Sequence, residues 1–177
     1  MPQPFWDWSV DFYARPGVEP ALLALQERHG LSVNMLLWCL WCGVHFEPPG
    51  DLVIKKAVEI SNAWSLAVTA PLRAARRHLH APSLRAPQEE LSALKARILN
   101  DELAAEKIEQ DALGQLAAEN LVCATRAEGG ATRARKALAA YICLTGAAKT
   151  PAFSVSLIEN LIGLRFPSSN SGGDCVE

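Results

Sequence analysis

The chain has 177 residues, half of them hydrophobic, and a formal net charge of −2, which suits one domain with a single core. So small a charge gives no general attraction to nucleic acid or to an anionic membrane. No apolar run reaches the about 18 residues that span a bilayer, and no secretory signal opens the chain. The five cysteines are scattered and odd in number, unlike a disulfide framework. We therefore expect a cytoplasmic protein without membrane insertion.

The sequence predicts an all-α fold, because alanine, leucine, arginine and glutamate are plentiful and the alternating pattern of strands is missing. The predicted helices cover approximately residues 4–14, 18–28, 32–46, 51–80, 88–120, 131–146 and 152–165. Ser32 is placed to cap the third helix, and Pro71 to kink or split the fourth. We expect a single-domain helical bundle of six or seven helices over residues 1–166, followed by a disordered polar tail at 167–177.

The first predicted helix is unusually aromatic, with the sequence FWDWSVDFY. Its rings, which include Trp6 and Trp8, are expected to pack onto the bundle. Alternatively, they form an exposed aromatic face, and large apolar patches of that kind often bind partner proteins.

The third predicted helix contains the stretch LLWCLWCGVHF, in which Cys39 and Cys42 lie three residues apart and His45 follows. A helix that is apolar on all sides is normally buried, and free cysteine behaves there as a small hydrophobe. A haem attachment would need the histidine directly after the second cysteine. A thioredoxin-type pair would sit at a helix N-terminus after a strand, and a structural zinc site needs four ligands. The pattern therefore favours a core helix, and we predict no metal and no cofactor.

The fourth predicted helix ends in a basic segment, PLRAARRHLH, which contains Arg73, Arg76 and Arg77. On an undistorted helix these arginines point away from the apolar stripe. They would form a solvated basic face, or a docking patch for an acidic partner or for phosphate. A kink at Pro71 could instead turn them towards the next helix, while His78 leans to the apolar side. No nucleic-acid partner is predicted, because the patch is short and no binding motif occurs.

The fifth predicted helix places Glu102, Glu106 and Glu109 on one face, beside or within its apolar stripe. Left unpaired, these carboxylates would repel one another and raise their own pKa values. One interpretation is that they reach water or meet arginines of a neighbouring helix. The other is a polar pocket inside the bundle that binds a cation or a basic group. A di-iron site is not favoured, because it needs Glu-x-x-His on two helices.

Four stretches of the sequence carry a family resemblance: FWDWSVDFYARPGV, LALQERHGLSVNMLLWCLWCG, PLRAARRHLH and ELAAEKIEQ. Together they resemble a family of uncharacterised proteobacterial proteins defined by a conserved hypothetical domain, over about residues 4–120. The resemblance implies a small bacterial cytoplasmic protein. It brings no activity, cofactor or catalytic residue.

Two functional hypotheses follow. The first is a non-enzymatic helical interaction or accessory factor, whose protein partner would contact Trp6, Trp8, Arg73, Arg76 and Arg77. The alternative is a small-molecule-binding or catalytic bundle with a pocket lined by Glu102, Glu106 and Glu109, with Asn34, His45 or His78 nearby. No catalytic residue is assigned, because the sequence contains no recognisable nucleophile–base pair or phosphate loop. A pocket requires the glutamates to converge on a cavity with other polar groups, whereas an interaction factor leaves them paired or solvated.

Overall fold

The computed structural model describes residues 2–79, 86–126, 129–149 and 153–167, and this part of the chain is all-α, as predicted. Its α-helices are α1 (Phe5–Tyr13), α2 (Val18–His29), α3 (Val33–His45), α4 (Asp51–Trp64), α5 (Ala70–His78), α6 (Gln88–Asn120), α7 (Gly130–Thr145) and α8 (Val155–Arg165). A π-helical turn, Ser65–Thr69, joins α4 to α5, so the described residues form seven helical rods. None of these helices is both long enough and apolar enough to cross a membrane.

The helix ends follow the local chemistry of the sequence. Ser32 Oγ accepts a hydrogen bond from the backbone N–H of Met35 at 3.3 Å, which caps α3 as predicted. Gly30 ends α2 with a left-handed φ of 66°, a conformation that glycine adopts without steric cost. The predicted start of the last helix at 152 and residues 168–177 of the predicted tail lie outside the described residues.

Helix α3 is the centre of the core. Cys39 and Cys42 are fully buried, at 0% exposure, which confirms the prediction of a core helix. Its most extensive partner is α7, and the two backbones come unusually close at Gly43. A Cβ atom on Gly43 would lie only 2.6 Å from the backbone of Ala134. Nearby, Arg133 Nε donates a hydrogen bond to the Gly43 carbonyl at 3.0 Å, which holds α3 and α7 together where they cross.

Helix α1 packs most of its rings onto this core, as the first interpretation of the aromatic segment predicted. Phe5 stacks on Trp41 with ring centroids 5.2 Å apart, and Trp8 meets Phe12 at the same distance. Trp8 is only 5% exposed, with the Arg165 guanidinium lying over its ring, so this predicted partner-binding residue is buried. Trp6 is half-buried on another side of α1.

The rod from α4 to α5 departs from an undistorted helix, as the kink predicted at Pro71 allowed. Proline has no N–H to donate to the carbonyl four residues earlier, and its ring clashes with that carbonyl. The π turn just before Pro71 relieves the clash and the loss of the hydrogen bond. A π turn holds one residue more than an α turn. All residues after it are therefore rotated by about 100° relative to the undistorted wheel. The prediction from an undistorted helical wheel that Arg73 and Arg76 point outward was therefore wrong. Both arginines face α6.

Candidate functional site

Helices α5 and α6 are joined by three ion pairs, the longest of which joins Arg73 Nε to Glu102 Oε2 at 3.8 Å. Arg76 donates two hydrogen bonds to Glu102, from Nε to Oε1 at 2.6 Å and from Nη2 to Oε2 at 3.1 Å. Arg73 Nη2 donates to Glu106 Oε1 at 2.9 Å. Burial raises the pKa of Glu106 and the Arg73 charge partly offsets this effect, while the hydrogen bond to Glu102 raises the pKa of Arg76. The prediction that the glutamates meet arginines of a neighbouring helix thus holds for Glu102 and Glu106.

Glu109 lies on the same face of α6 but has different partners. Its side chain is buried, at 3% exposure, and the Ser61 hydroxyl donates to its Oε1 at 2.7 Å. The Asn34 side chain acts on the same carboxyl group as a hydrogen-bond donor that lowers its pKa. Burial raises the pKa of Glu109, and these two neutral partners only partly counteract the shift. Among the described residues no basic side chain pairs with it, and Arg73 acts on it only from a distance.

A chain of hydroxyl groups continues from Glu109 towards α7. Ser61 Oγ lies 3.2 Å from Ser32 Oγ, and the Ser32 backbone N–H donates to the Tyr141 hydroxyl at 2.9 Å. Burial raises the pKa of Tyr141 to about 12, so this side chain remains a neutral phenol near neutral pH. Residues from α4, from the start of α3 and from α7 thus meet beside one carboxyl group.

Side-chain amides extend the same network towards α1. Gln110 Nε2 donates to Asn34 Oδ1 at 2.9 Å, and the Ser9 hydroxyl donates to Gln110 Oε1 at 2.6 Å. Ser9 and Gln110 are both buried. Since a buried polar side chain is costly unless it is hydrogen-bonded, these contacts hold α1, α3 and α6 in a fixed relation around Glu109.

The network borders a cavity of about 770 Å³. Its polar lining residues include Ser9, Ser32, Asn34, Ser61, Arg73, Arg76, Arg77, Glu106, Glu109, Gln110 and Tyr141. Its apolar lining residues include Trp6, Val10, Leu31, Met35, Leu37, Val58 and Leu103. This volume and this mixed lining are typical of sites for small molecules. Glu106 and Glu109 therefore converge on a cavity with other polar groups, the arrangement that the pocket hypothesis requires.

The remaining residues predicted for the site are dispersed. Glu102 lies behind Arg76 and does not line the cavity, whereas Arg77 lines it and is exposed. His45 packs on Trp41, with ring centroids 5.6 Å apart, and burial together with the nearby Arg165 charge lowers its pKa. His78, expected on the apolar side of its helix, is exposed instead, because the π turn rotates α5.

Several residues of the site were missed by the sequence analysis: Ser9, Ser32, Ser61, Gln110 and Tyr141. Ser32 had been assigned only as a helix cap. A signal existed for Ser61, which follows Ile54 and Ala57 at helical spacing and is thus a polar residue within an apolar stripe. Ser9 and Gln110 are 101 residues apart, and no local pattern connects them.

The cysteines and the acidic residues do not form a metal centre within the described ranges, where no group of three or more His, Cys, Asp or Glu side chains is placed to hold an ion. Burial raises the pKa values of the Cys39 and Cys42 thiols. Both side chains therefore remain protonated, whereas reactive cysteines are partly exposed thiolates.

Comparison with known protein families identifies a family for most of the cavity-bearing part of the chain. A family model described as "Protein of unknown function (DUF2390)" matches residues 4–113, which run from α1 to Leu113 of α6. This span includes most of the cavity wall, with Tyr141 on α7 outside it. No curated protein and no solved structure matches the chain.

Proposed function

We propose that this chain, which belongs to the family of proteins of unknown function DUF2390, is a small-molecule-binding helical bundle. The ligand would occupy the cavity between α1, α3, α4, α5, α6 and α7. The observation that carries the proposal is the buried carboxyl group of Glu109, which faces this cavity among hydroxyl and amide groups and has no basic partner in the described structure.

The cost of burying Glu109 supports a binding role. Removing a carboxyl group from water without a cation is unfavourable, and the raised pKa of Glu109 reflects this cost. An apolar residue would fill the same volume without the penalty. Strained or uncompensated titratable groups beside a cavity occur preferentially at functional sites.

The cavity lining indicates the general chemistry of the ligand. The Glu109 side supplies acceptors and donors from Ser61, Asn34 and Tyr141, whereas Trp6 and Met35 contribute apolar wall. An organic molecule with a cationic or hydrogen-bond-donating group and an apolar body would match both parts.

Native mass spectrometry of the protein purified from its own host tests the proposal. Wild type should retain a stoichiometric small molecule, and Glu109→Gln should lose most of it, because the substitution removes the negative charge while keeping the volume. Glu119→Gln is the matched control, since Glu119 is exposed on the same helix and should leave retention unchanged. Absence of a bound molecule in wild type, or equal retention by Glu109→Gln, would contradict small-molecule binding at this site.

A protein-interaction role is a second proposal. It is favoured by one observation: Trp6 and Arg77, both predicted partner residues, line the same cavity and keep solvent-exposed surface. Arg77→Gln should then remove a partner from pull-downs, whereas substitution of the exposed Arg28 on α2 should not. Arg73 and Arg76 are unsuitable for this test, because replacing them would remove the hydrogen-bonded ionic partners of Glu106 and Glu102.

A further inference from the structure

The positive and negative side chains around the cavity are equal in number, but not all of them form ion pairs. Three arginines and three glutamates lie there or directly behind its wall: Arg73, Arg76, Arg77, Glu102, Glu106 and Glu109. The α5–α6 ion pairs neutralise four of them. Of these six residues, Arg77 and Glu109 have no ionic partner among the described residues.

The two unpaired groups line the cavity and lie at opposite ends of the contact between α5 and α6. Arg73 is level with Glu106 and Arg76 is level with Glu102, so α5 and α6 run antiparallel. Arg77 continues past Arg76 in one direction, whereas Glu109 continues past Glu106 in the other. The seven residues from Glu102 to Glu109 correspond to about 10 Å along the helix axis at ~1.5 Å per residue.

We propose that the cavity selects an elongated zwitterion, with an ammonium group bound at Glu109 and an anionic group, a carboxylate in its simplest form, bound at Arg77. This inference rests on the proposed small-molecule function. The separation of the two sites excludes a ligand whose opposite charges are adjacent, such as a free α-amino acid with a small side chain.

Each end of the cavity suits the group assigned to it. At the inner end, an ammonium group would donate to Glu109, with Asn34 as a further polar neighbour. At the outer end, the planar guanidinium of Arg77 can hold a carboxylate through two parallel hydrogen bonds. Met35 and Leu103 also line the cavity and contribute apolar wall along which a hydrocarbon chain can lie.

The test uses probes that differ in one feature each. The probe 8-aminooctanoate carries both charges roughly 10 Å apart when its chain is extended at ordinary bond lengths. Octylamine lacks the carboxylate, octanoate lacks the ammonium group, and 4-aminobutanoate keeps both charges at a shorter separation. Calorimetric titration of the full chain should show binding of 8-aminooctanoate. Each of the other probes should bind with an affinity lower by a factor of about ten or more, because losing one charged hydrogen-bonded contact costs at least that factor.

Variants assign each charge to its end of the ligand. Arg77→Gln should abolish the preference for 8-aminooctanoate over octylamine, and Arg77→Lys should restore part of it by returning the positive charge. Glu109→Gln should abolish the preference over octanoate. A urea unfolding curve for each variant establishes that the fold is kept.

Three results would overturn the zwitterion proposal: equal affinity for octylamine and 8-aminooctanoate, an unchanged preference in Arg77→Gln, or no binding of any probe. None of these results contradicts small-molecule binding itself. That proposal is tested by whether wild type retains a small molecule that Glu109→Gln loses. The two proposals therefore fail separately.

Discussion

Glu102, Glu106 and Glu109 share one face of α6 but meet different partners. Glu102 is held by Arg76 through both of its oxygens, Glu106 by Arg73, and Glu109 by hydroxyl and amide donors. The first two therefore contribute to the docking of α5 on α6. Glu109 retains an unneutralised carboxyl group beside the cavity, and the ligand contact that we propose is assigned to it for this reason.

The ion pair of Arg76 and Glu102 predicts unequal effects for neighbouring arginines of α5. Arg76→Ala should lower the free energy of unfolding by about 2 kcal/mol, because it removes both hydrogen bonds of the buried Glu102 and leaves only Arg73, at 3.8 Å, as its ionic partner. Arg77→Ala should change it by less than about 0.5 kcal/mol, as is usual for an exposed side chain. Urea denaturation measures both values. Equal effects would mean that the ion pair contributes nothing specific.

The raised pKa of Glu109 predicts a pH dependence of stability. A carboxyl group with a higher pKa in the folded than in the unfolded protein contributes stability below its ordinary value of 4.5, and this contribution is lost as pH rises. Wild type should therefore lose stability relative to Glu109→Gln as pH increases from 4.5 towards neutrality. Urea unfolding of both proteins across this range measures the difference.

Glu159 provides a control of opposite sign. Its hydrogen bond with Arg135 lowers the pKa of its carboxyl group, so its contribution is present above the ordinary value and lost as pH falls. The difference between wild type and Glu159→Gln should therefore shrink on acidification. If Glu109→Gln followed the same direction as Glu159→Gln, the assigned cause of the Glu109 shift would be wrong.

Two helix contacts define the architecture at the scale of elements. The π turn before Pro71 rotates α5 so that Arg73 and Arg76 meet α6, and the absence of a side chain at Gly43 lets α3 approach α7. The first sets the outer wall of the cavity. The second sets the position of α7, which brings Tyr141 to Ser32.

The close approach of α3 and α7 predicts that Gly43→Ala is destabilising. Its methyl group would lie 2.6 Å from Ala134 backbone atoms, and relieving this overlap should cost about 1–3 kcal/mol or more of unfolding free energy. Gly163→Ala on α8 is the control, since nothing lies within 4 Å of an added Cβ there. The control should gain about 0.5–1 kcal/mol from the higher helix propensity of alanine. Thermal or urea unfolding distinguishes the two signs.

At the scale of the whole molecule, the core extends beyond the family match. The matched residues 4–113 include α3, yet α7 supplies buried residues such as Ala134, Ala137 and Leu138 to the same core. The most extensive helix pair in the described structure joins α3 to α7. A fragment without α7 would therefore expose the most apolar helix of the protein.

Thiol accessibility tests the role of α7 in completing the core. In the full chain with the substitutions Cys123→Ser, Cys143→Ser and Cys175→Ser, Cys39 and Cys42 should react with a thiol reagent only after unfolding. In a fragment of residues 1–120 both should react at least about a hundredfold faster, because opening of their site no longer requires global unfolding. Equal protection in the fragment would show that α3 is covered without α7.

Local patterns in the sequence were enough to predict the helical class, most helix boundaries and the burial of α3, because periodicity, caps and turn residues are properties of short segments of the chain. Ser32 was identified as a cap and α6 was bounded at 88–120 on those grounds alone. The sequence also placed three glutamates on one face of α6, but it left open whether they were solvated, paired or gathered around a pocket.

The partner of each glutamate, in contrast, depends on how the helices pack against one another. One extra residue in the turn before Pro71 rotated Arg73 and Arg76 by about 100°, and a helical wheel with constant rotation per residue cannot contain such a change. The contact of Ser9 with Gln110 and that of Ser32 with Tyr141 each join residues more than 100 positions apart. A cavity is the space left when several helices pack together, so its shape and lining depend on all of them at once, while a sequence pattern describes one helix at a time.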